Sequence, residues 1–122
     1  FLETWLADEL GRRRYASSLL VIGELLADAP PADRGVLTFY LGEAHRRRNA
    51  AGDRDRAAQL YAQAVAMDGT PAAAWREHGY ALRAAGRTAH ARAALRRYLD
   101  TAPRADDRAF VQRELDRLGG AP

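Results

Sequence analysis

The chain has 122 residues with 19 arginines, 16 acidic residues, no lysine and no cysteine, and its net charge is +3. The missing lysine excludes a P-loop lysine and a lysine Schiff base, and the missing cysteine excludes thiol nucleophiles, disulfides and thiolate metal sites. A chain of this length is expected to form one domain with a real hydrophobic core.

Apolar residues at helical spacing predict an all-α chain of seven helices without strands. In chain order, the predicted helices cover about residues 2–10, 13–27, 33–49, 54–68, 70–85, 88–101 and 106–118. Their predicted stops are Gly11, Pro30-Pro31, Gly52, Gly69, Gly86, Pro103 and Gly119-Gly120. The short connections indicate that helices adjacent in sequence pair as hairpins.

Several of these helices have a recognisable start. Asp53 follows a glycine and is predicted to be the N-cap of the fourth helix. Thr70 places a hydroxyl at the N-cap of the fifth helix, with proline at the first helical position, and Thr88 is predicted to cap the sixth. The last helix is predicted to begin at Asp106 or Asp107, because a carboxylate suits the positive end of a helix.

The middle of the chain repeats its own pattern. Four positions recur 34 residues later, with Ala57, Tyr61, Ala64 and Gly69 matched by Ala91, Leu95, Tyr98 and Pro103. Gly42 recurs as Gly79, and a looser copy precedes both. A single helix pair cannot bury its apolar face, so repeated pairs are expected to stack. Small residues at Gly42, Ala57, Gly79 and Ala91 are expected where helices cross closely.

This pattern resembles the tetratricopeptide repeat (TPR), in its bacterial form. Trp75, Gly79, Ala91 and Pro103 fall on the signature positions of that family, whereas His78 departs from the leucine expected there. The resemblance implies an antiparallel helix-pair array, an α-solenoid, of about three repeats with a C-terminal capping helix. The implied pairs cover about residues 1–30, 33–69 and 70–103, and the implied cap covers 106–118.

A finer resemblance involves two segments of the chain. Residues 39–46, and the run 79–103 followed by Asp106-Asp107-Arg108, are similar to TPR segments at the C-terminal end of bacterial zinc metalloproteases and related envelope proteins. Those enzymes carry H-E-x-x-H elsewhere, and this sequence contains no such motif. An accessory domain of a bacterial enzyme is therefore an alternative to a self-standing binding domain.

In TPR arrays the first helix of each pair lines a concave groove that binds a peptide. The resemblance maps seven residues of this chain to that groove, with Glu3 as a further candidate: Phe39, Glu43, Arg46, Arg47, Arg76, Tyr80 and Arg83. Guanidinium groups bind carboxylates and aromatic rings supply apolar contact, so we expect an acidic, partly apolar peptide or partner protein. The alternative is an ordinary solvated charged face. The asparagine of the chaperone-binding carboxylate clamp is missing, so chaperone tails are not the expected ligand.

Residues suited to catalysis or metal binding are scattered. His45, His78 and His90 lack ligand spacing, and Ser17 and Ser18 lie inside a helix without a nucleophile elbow. We therefore expect no enzyme activity, no metal and no cofactor in this segment.

The remaining expectations concern partners and context. The apolar run 19–22 is too short to span a membrane, and consecutive arginines such as 46–48 point in different directions on a helix, which argues against nucleic-acid binding. An apolar N-terminal edge at Phe1, Leu2, Trp5 and Leu6 makes self-association a further alternative. Because the sequence begins at Phe1, we expect a segment of a longer protein. No targeting segment distinguishes the cytoplasm from the periplasm.

Overall fold

A computed structural model describes residues 1–119 and contains seven helices over that range. They are α1 (Leu2–Gly11), α2 (Tyr15–Ala27), α3 (Pro31–Arg48), α4 (Asp53–Ala64), α5 (Ala73–Ala84), α6 (Thr88–Thr101) and α7 (Arg108–Gly119). No strand occurs among these residues. The prediction of an all-α chain is confirmed. Gly120, which was predicted with Gly119 to end the last helix, lies outside the described residues.

The chain forms two compact units. The N-terminal unit, Phe1–Pro71, contains α1 to α4, and the C-terminal unit, Ala72–Pro122, contains α5 to α7. Within each unit, helices that are adjacent in sequence pack against one another. In the part of the chain described, no helix has the length and apolar character that crossing a membrane requires.

Helix α3 is the centre of the N-terminal unit. It contacts α1, α2 and α4, and it is buried on most of its surface between Gly35 and Ala44. The other fully buried positions of this unit include Leu6, Leu10, Ile22 and Ala64. A helix that carries buried residues all round is expected to be enclosed by neighbouring helices.

The core of the C-terminal unit is formed by α6 and α7. Its buried residues are Leu95, Tyr98, Leu99, Val111 and Leu115, and the partly buried Ala72, Trp75, Tyr80 and Leu118 pack against them. Each helix contributes residues three or four apart, which lie on one helical face.

Three predicted N-caps are wrong. Helix α5 begins at Ala73, and the hydroxyl of Thr70 has no hydrogen-bond partner among the described residues, because the backbone there packs on α3 instead. Asp53 is the first residue of α4, and Gly52 is its N-cap in the left-handed conformation that glycine adopts readily. Thr88 is likewise the first residue of α6, and Arg87 occupies the N-cap.

Three other boundaries are displaced. Helix α3 begins at Pro31, which was predicted to belong to the preceding stop, because proline is well tolerated at the first helical position. Helix α4 ends at Ala64 rather than near residue 68, because tight turns follow, in which the amide of Met67 donates to the carbonyl of Ala64 at 3.0 Å. Helix α7 begins at Arg108, with the carbonyl of Asp107 accepting from the amide of Val111 at 2.9 Å.

Small residues lie at the helix crossings, as the sequence predicts. A Cβ atom at Gly79 would lie 2.7 Å from Leu95 Cδ2 and 3.4 Å from the carbonyl oxygen of Ala91. At Gly42 it would lie 2.9 Å from the ring of Tyr61. The α3–α4 and α5–α6 hairpins therefore depend on glycine for their close approach.

Replacing Gly79 by leucine is expected to destabilise the C-terminal unit by roughly 1–3 kcal/mol, because the new side chain would overpack the α5–α6 crossing. Ala89→Leu is the matched control, since Ala89 is exposed on α6. Urea unfolding of a Trp5→Phe background, in which Trp75 is the remaining tryptophan, measures the difference. Equal midpoints for the two variants would contradict the close crossing.

Candidate functional site

In the N-terminal unit, a buried carboxylate organises the predicted groove residues. Glu43 on α3 is 3% exposed, and its carboxylate accepts a 2.6 Å hydrogen bond from the hydroxyl of Tyr61 on α4. Arg46 donates to the same carboxylate at 2.8 and 3.1 Å, and Arg47 donates at 3.4 Å. Spacings of three and four residues place these guanidinium groups on the face of α3 that carries Glu43.

These contacts keep Glu43 ionised. Burial raises the pKa of Glu43. The hydrogen bonds from Arg46 and Tyr61, together with the nearby arginine charges, lower the pKa by more than burial raises it, so that it lies below the ordinary value of 4.5. The carboxylate is therefore an anion at neutral pH, and it holds two arginine side chains in fixed positions.

The N-terminal unit is expected to lose stability on acidification. Because the pKa of Glu43 is lower in the folded chain, its contribution is complete above about 4.5 and is lost as the pH falls through the lower folded-state value. Urea midpoints measured by Trp5 fluorescence in a Trp75→Phe background should fall below pH 4.5, and less steeply when Glu43→Gln is added. An equal slope with and without Glu43 would contradict this assignment.

Phe39 lies in the core rather than on open surface. It is 3% exposed, and its ring lies 5.0 Å from that of Tyr40 and 5.9 Å from that of Tyr61. The side chains of Phe39 and Glu43 thus lie beneath the predicted groove surface of α3 and are not part of it. Arg46 and Arg47, whose side chains are 45% and 36% exposed, are the predicted groove residues of this unit that reach solvent.

The turn between α3 and α4 is held by a second carboxylate. Asp53 accepts two 2.8 Å hydrogen bonds from Arg48, one of 2.9 Å from the amide of Ala50, and pairs with His45 Nδ1 at 2.8 Å. The Arg48 and His45 hydrogen bonds hold the pKa of Asp53 well below its usual range. These bonds fasten the end of α3 to the start of α4, which the sequence-based N-cap assignment missed.

Glu3 is tied to α3 rather than presented to solvent alone. The hydroxyl of Tyr40 donates to the Glu3 carboxylate at 3.3 Å, and burial together with Glu3 raises the pKa of Tyr40 to about 12.

The N-terminal edge suggested for self-association is smaller than predicted. On α1, Leu6 is fully buried and therefore belongs to the core. Phe1 and Trp5 remain exposed on that edge.

In the C-terminal unit, the predicted groove arginines already bind carboxylates directly before α7 and within it. Arg76 donates to Asp107 at 2.9 Å, and Arg83 donates to Glu114 at 2.9 Å. Both pairs span 31 residues, so α5 and α7 run in the same direction. Asp107, directly before α7, and Glu114 within α7 therefore both contact α5.

Two tyrosine rings contact the arginines of α5. Tyr98 donates to Asp107 at 2.5 Å, and the guanidinium of Arg76 lies 5.5 Å from the centre of the Tyr98 ring. Arg83 lies 5.1 Å from the Tyr80 ring and is 42% exposed, whereas Arg76 is 25% exposed. Arg76 thus belongs to a structural cluster, and Arg83 is the more accessible of the two.

The seven predicted groove residues divide between the units: Phe39, Glu43, Arg46 and Arg47 lie in the N-terminal unit, and Arg76, Tyr80 and Arg83 lie in the C-terminal unit. Over residues 1–119, no three histidine or acidic side chains form a group that could hold a metal ion.

Among known proteins, no family model matches the sequence and no curated protein matches it.

Proposed function

We propose that this chain is a non-catalytic, TPR-like domain that binds a partner protein or an acidic, partly apolar peptide through arginine-bearing faces of α3 and α5. The packed helix hairpins, the small residues at their crossings and the common direction of α5 and α7 support this arrangement. In helical-repeat proteins of this kind the first helix of a pair carries a binding face, and that helix is α3 in the N-terminal unit and α5 in the C-terminal unit.

The observation that carries the proposal is the state of Arg47 and Arg83. Each is held by a carboxylate that is itself largely buried, and each remains more than a third exposed. Arg47 reaches its carboxylate through Nη2, and Arg83 reaches its own through Nη1. A guanidinium has five N–H donors, so each retains donors on its exposed side for a ligand carboxylate. Prior positioning also reduces the entropy lost on binding.

Peptide selection from a random displayed library tests the proposal. We expect selected peptides to combine Asp or Glu with an aromatic or aliphatic residue, because the exposed arginines bind the carboxylates and Tyr80 offers apolar contact. Arg47→Gln and Arg83→Gln should each weaken a selected peptide by up to about fivefold, the range of exposed ion pairs.

Arg54→Gln and Arg113→Gln are the matched controls, because both arginines are exposed and outside the proposed faces. Selected peptides without acidic residues, or equal losses in the controls, would overturn the proposal. Arg76 is not substituted in this test, because its side chain is only 25% exposed and lies in the cluster with Tyr98 and Asp107.

A further inference from the structure

A second surface in the N-terminal unit has the opposite charge. A cleft of about 270 Å³ lies where the start of α1, the end of α2 and the start of α3 meet. Leu2, Leu25 and Leu37 form its apolar floor, and Leu25 is 41% exposed. Three carboxylates line the same cleft, those of Glu24, Asp28 and Asp33.

These carboxylates form no ion pair with a residue of the described chain, 1–119. Among residues 1–119, neither Glu24, Asp28 nor Asp33 pairs with an arginine or histidine. Glu24 and Asp28 lie at the C-terminal end of α2, where the helix dipole is already negative, and the last turn of α2 has no basic residue. The cleft therefore combines three carboxylates that have no ion-pair partner among residues 1–119 with apolar surface.

The same helix end already binds one guanidinium. Arg34 Nη1 donates to the carbonyl of Leu26 at 3.0 Å, in the last turn of α2. A small metal ion does not fit these carboxylates, because no group of three converges on a metal position in the described chain. The leucines of the cleft are flanked by carboxylates that lie apart from one another. This arrangement suits the side chain of lysine or arginine, whose methylene groups can pack on leucine while the charged end contacts the carboxylates.

We propose that this cleft binds an arginine or lysine side chain of a partner polypeptide, with an apolar residue beside it. The charge and shape of the cleft support this site independently of the acidic-peptide proposal. The two surfaces would take partner segments of opposite charge.

Titration of the full chain, labelled at leucine methyl groups, with acetyl-Leu-Arg-Leu-amide tests the proposal. We expect saturable shifts at Leu25 and Leu37. The analogue in which citrulline replaces arginine should bind about tenfold more weakly, because it keeps the shape and loses the charge.

The double variant Glu24→Gln/Asp28→Asn should weaken the arginine peptide by about tenfold and leave the acidic peptides unaffected. The control Glu9→Gln/Asp55→Asn removes the same charge elsewhere in this unit and should bind normally. Absence of saturable shifts, equal affinity for the citrulline peptide, or equal losses in the two double variants would overturn the proposal. Shifts of the same methyl groups with protein concentration alone would identify a second copy as the occupant and also overturn it.

Discussion

Gly35→Ala is expected to destabilise the N-terminal unit by about 3 kcal/mol or more, although it adds only one methyl group. A Cβ atom at Gly35 would lie 2.6 Å from the carbonyl oxygen of Asp68 and 2.9 Å from the amide nitrogen of Thr70. Both atoms belong to the backbone, so no side chain can rotate away. The N-terminal part of α3 or the segment after α4 would have to move.

The contact is tight from the other side as well. Gly69 has a φ of 74°, and a Cβ atom there would lie 2.7 Å from the carbonyl oxygen of Ala32. Two glycines thus allow the segment 68–70 to lie directly on α3. Neither backbone can yield without disturbing the other, which is why the expected loss exceeds that of an ordinary glycine substitution.

Gly23→Ala is the control, because Gly23 lies within α2 and a Cβ there would have no neighbour within 4 Å. It should stabilise the unit by about 0.5–1 kcal/mol through helix propensity. Urea unfolding in a Trp75→Phe background, followed by Trp5 fluorescence, gives both free energies of unfolding. A Gly35→Ala variant as stable as Gly23→Ala would show that the segment 68–70 does not lie on α3.

Glu43→Ala is expected to cost about 2–3 kcal/mol of unfolding free energy in the same unit. Removing one partner of a buried charge pair leaves the others uncompensated, at roughly 3–5 kcal/mol when all are buried. Arg46 and Arg47 are partly exposed and water can replace some of the lost interaction, which lowers the expected cost. The hydroxyl of Tyr61 also loses its acceptor.

A double-mutant cycle with Glu43→Gln and Tyr61→Phe measures the coupling between these two side chains, including the part that passes through Arg46, whose Nε donates to both. We expect a coupling of about 1–2 kcal/mol, the range of a hydrogen bond to a charged group. Glu24→Ala is the control for loss of an exposed carboxylate and should change stability by less than about 0.5 kcal/mol. A Glu43→Ala variant as stable as this control would contradict the buried network.

Helix positions could be predicted because their signals are local. The second helix was expected over 13–27 and lies at Tyr15–Ala27, and the sixth was expected over 88–101 and lies at Thr88–Thr101. Apolar periodicity fixes the body of each helix, and glycine or proline limits its ends. The crossings at Gly42 and Gly79 followed from the repeat, since each aligns with the other.

The side-chain network could not be read in the same way. Arg76 and Arg83 pair with acids 31 residues away, and no local pattern indicates which of many carboxylates will be near. Phe39 and Glu43 occupy positions that the repeat assigns to a ligand surface, yet both are buried in this chain. Nor does the sequence distinguish Gly35, which contacts backbone, from the open Gly23, because packing partners distant in sequence decide the difference.

The most direct test of peptide binding follows the arginine side chains themselves. Titration of the ¹⁵N-labelled chain with a selected acidic peptide should shift the Nε–H signals of Arg47 and Arg83 saturably, while those of Arg54 and Arg113 stay in place. Saturable binding that leaves Arg47 and Arg83 unshifted, or shifts confined to the two control arginines, would contradict the arginine-bearing faces as the binding surface.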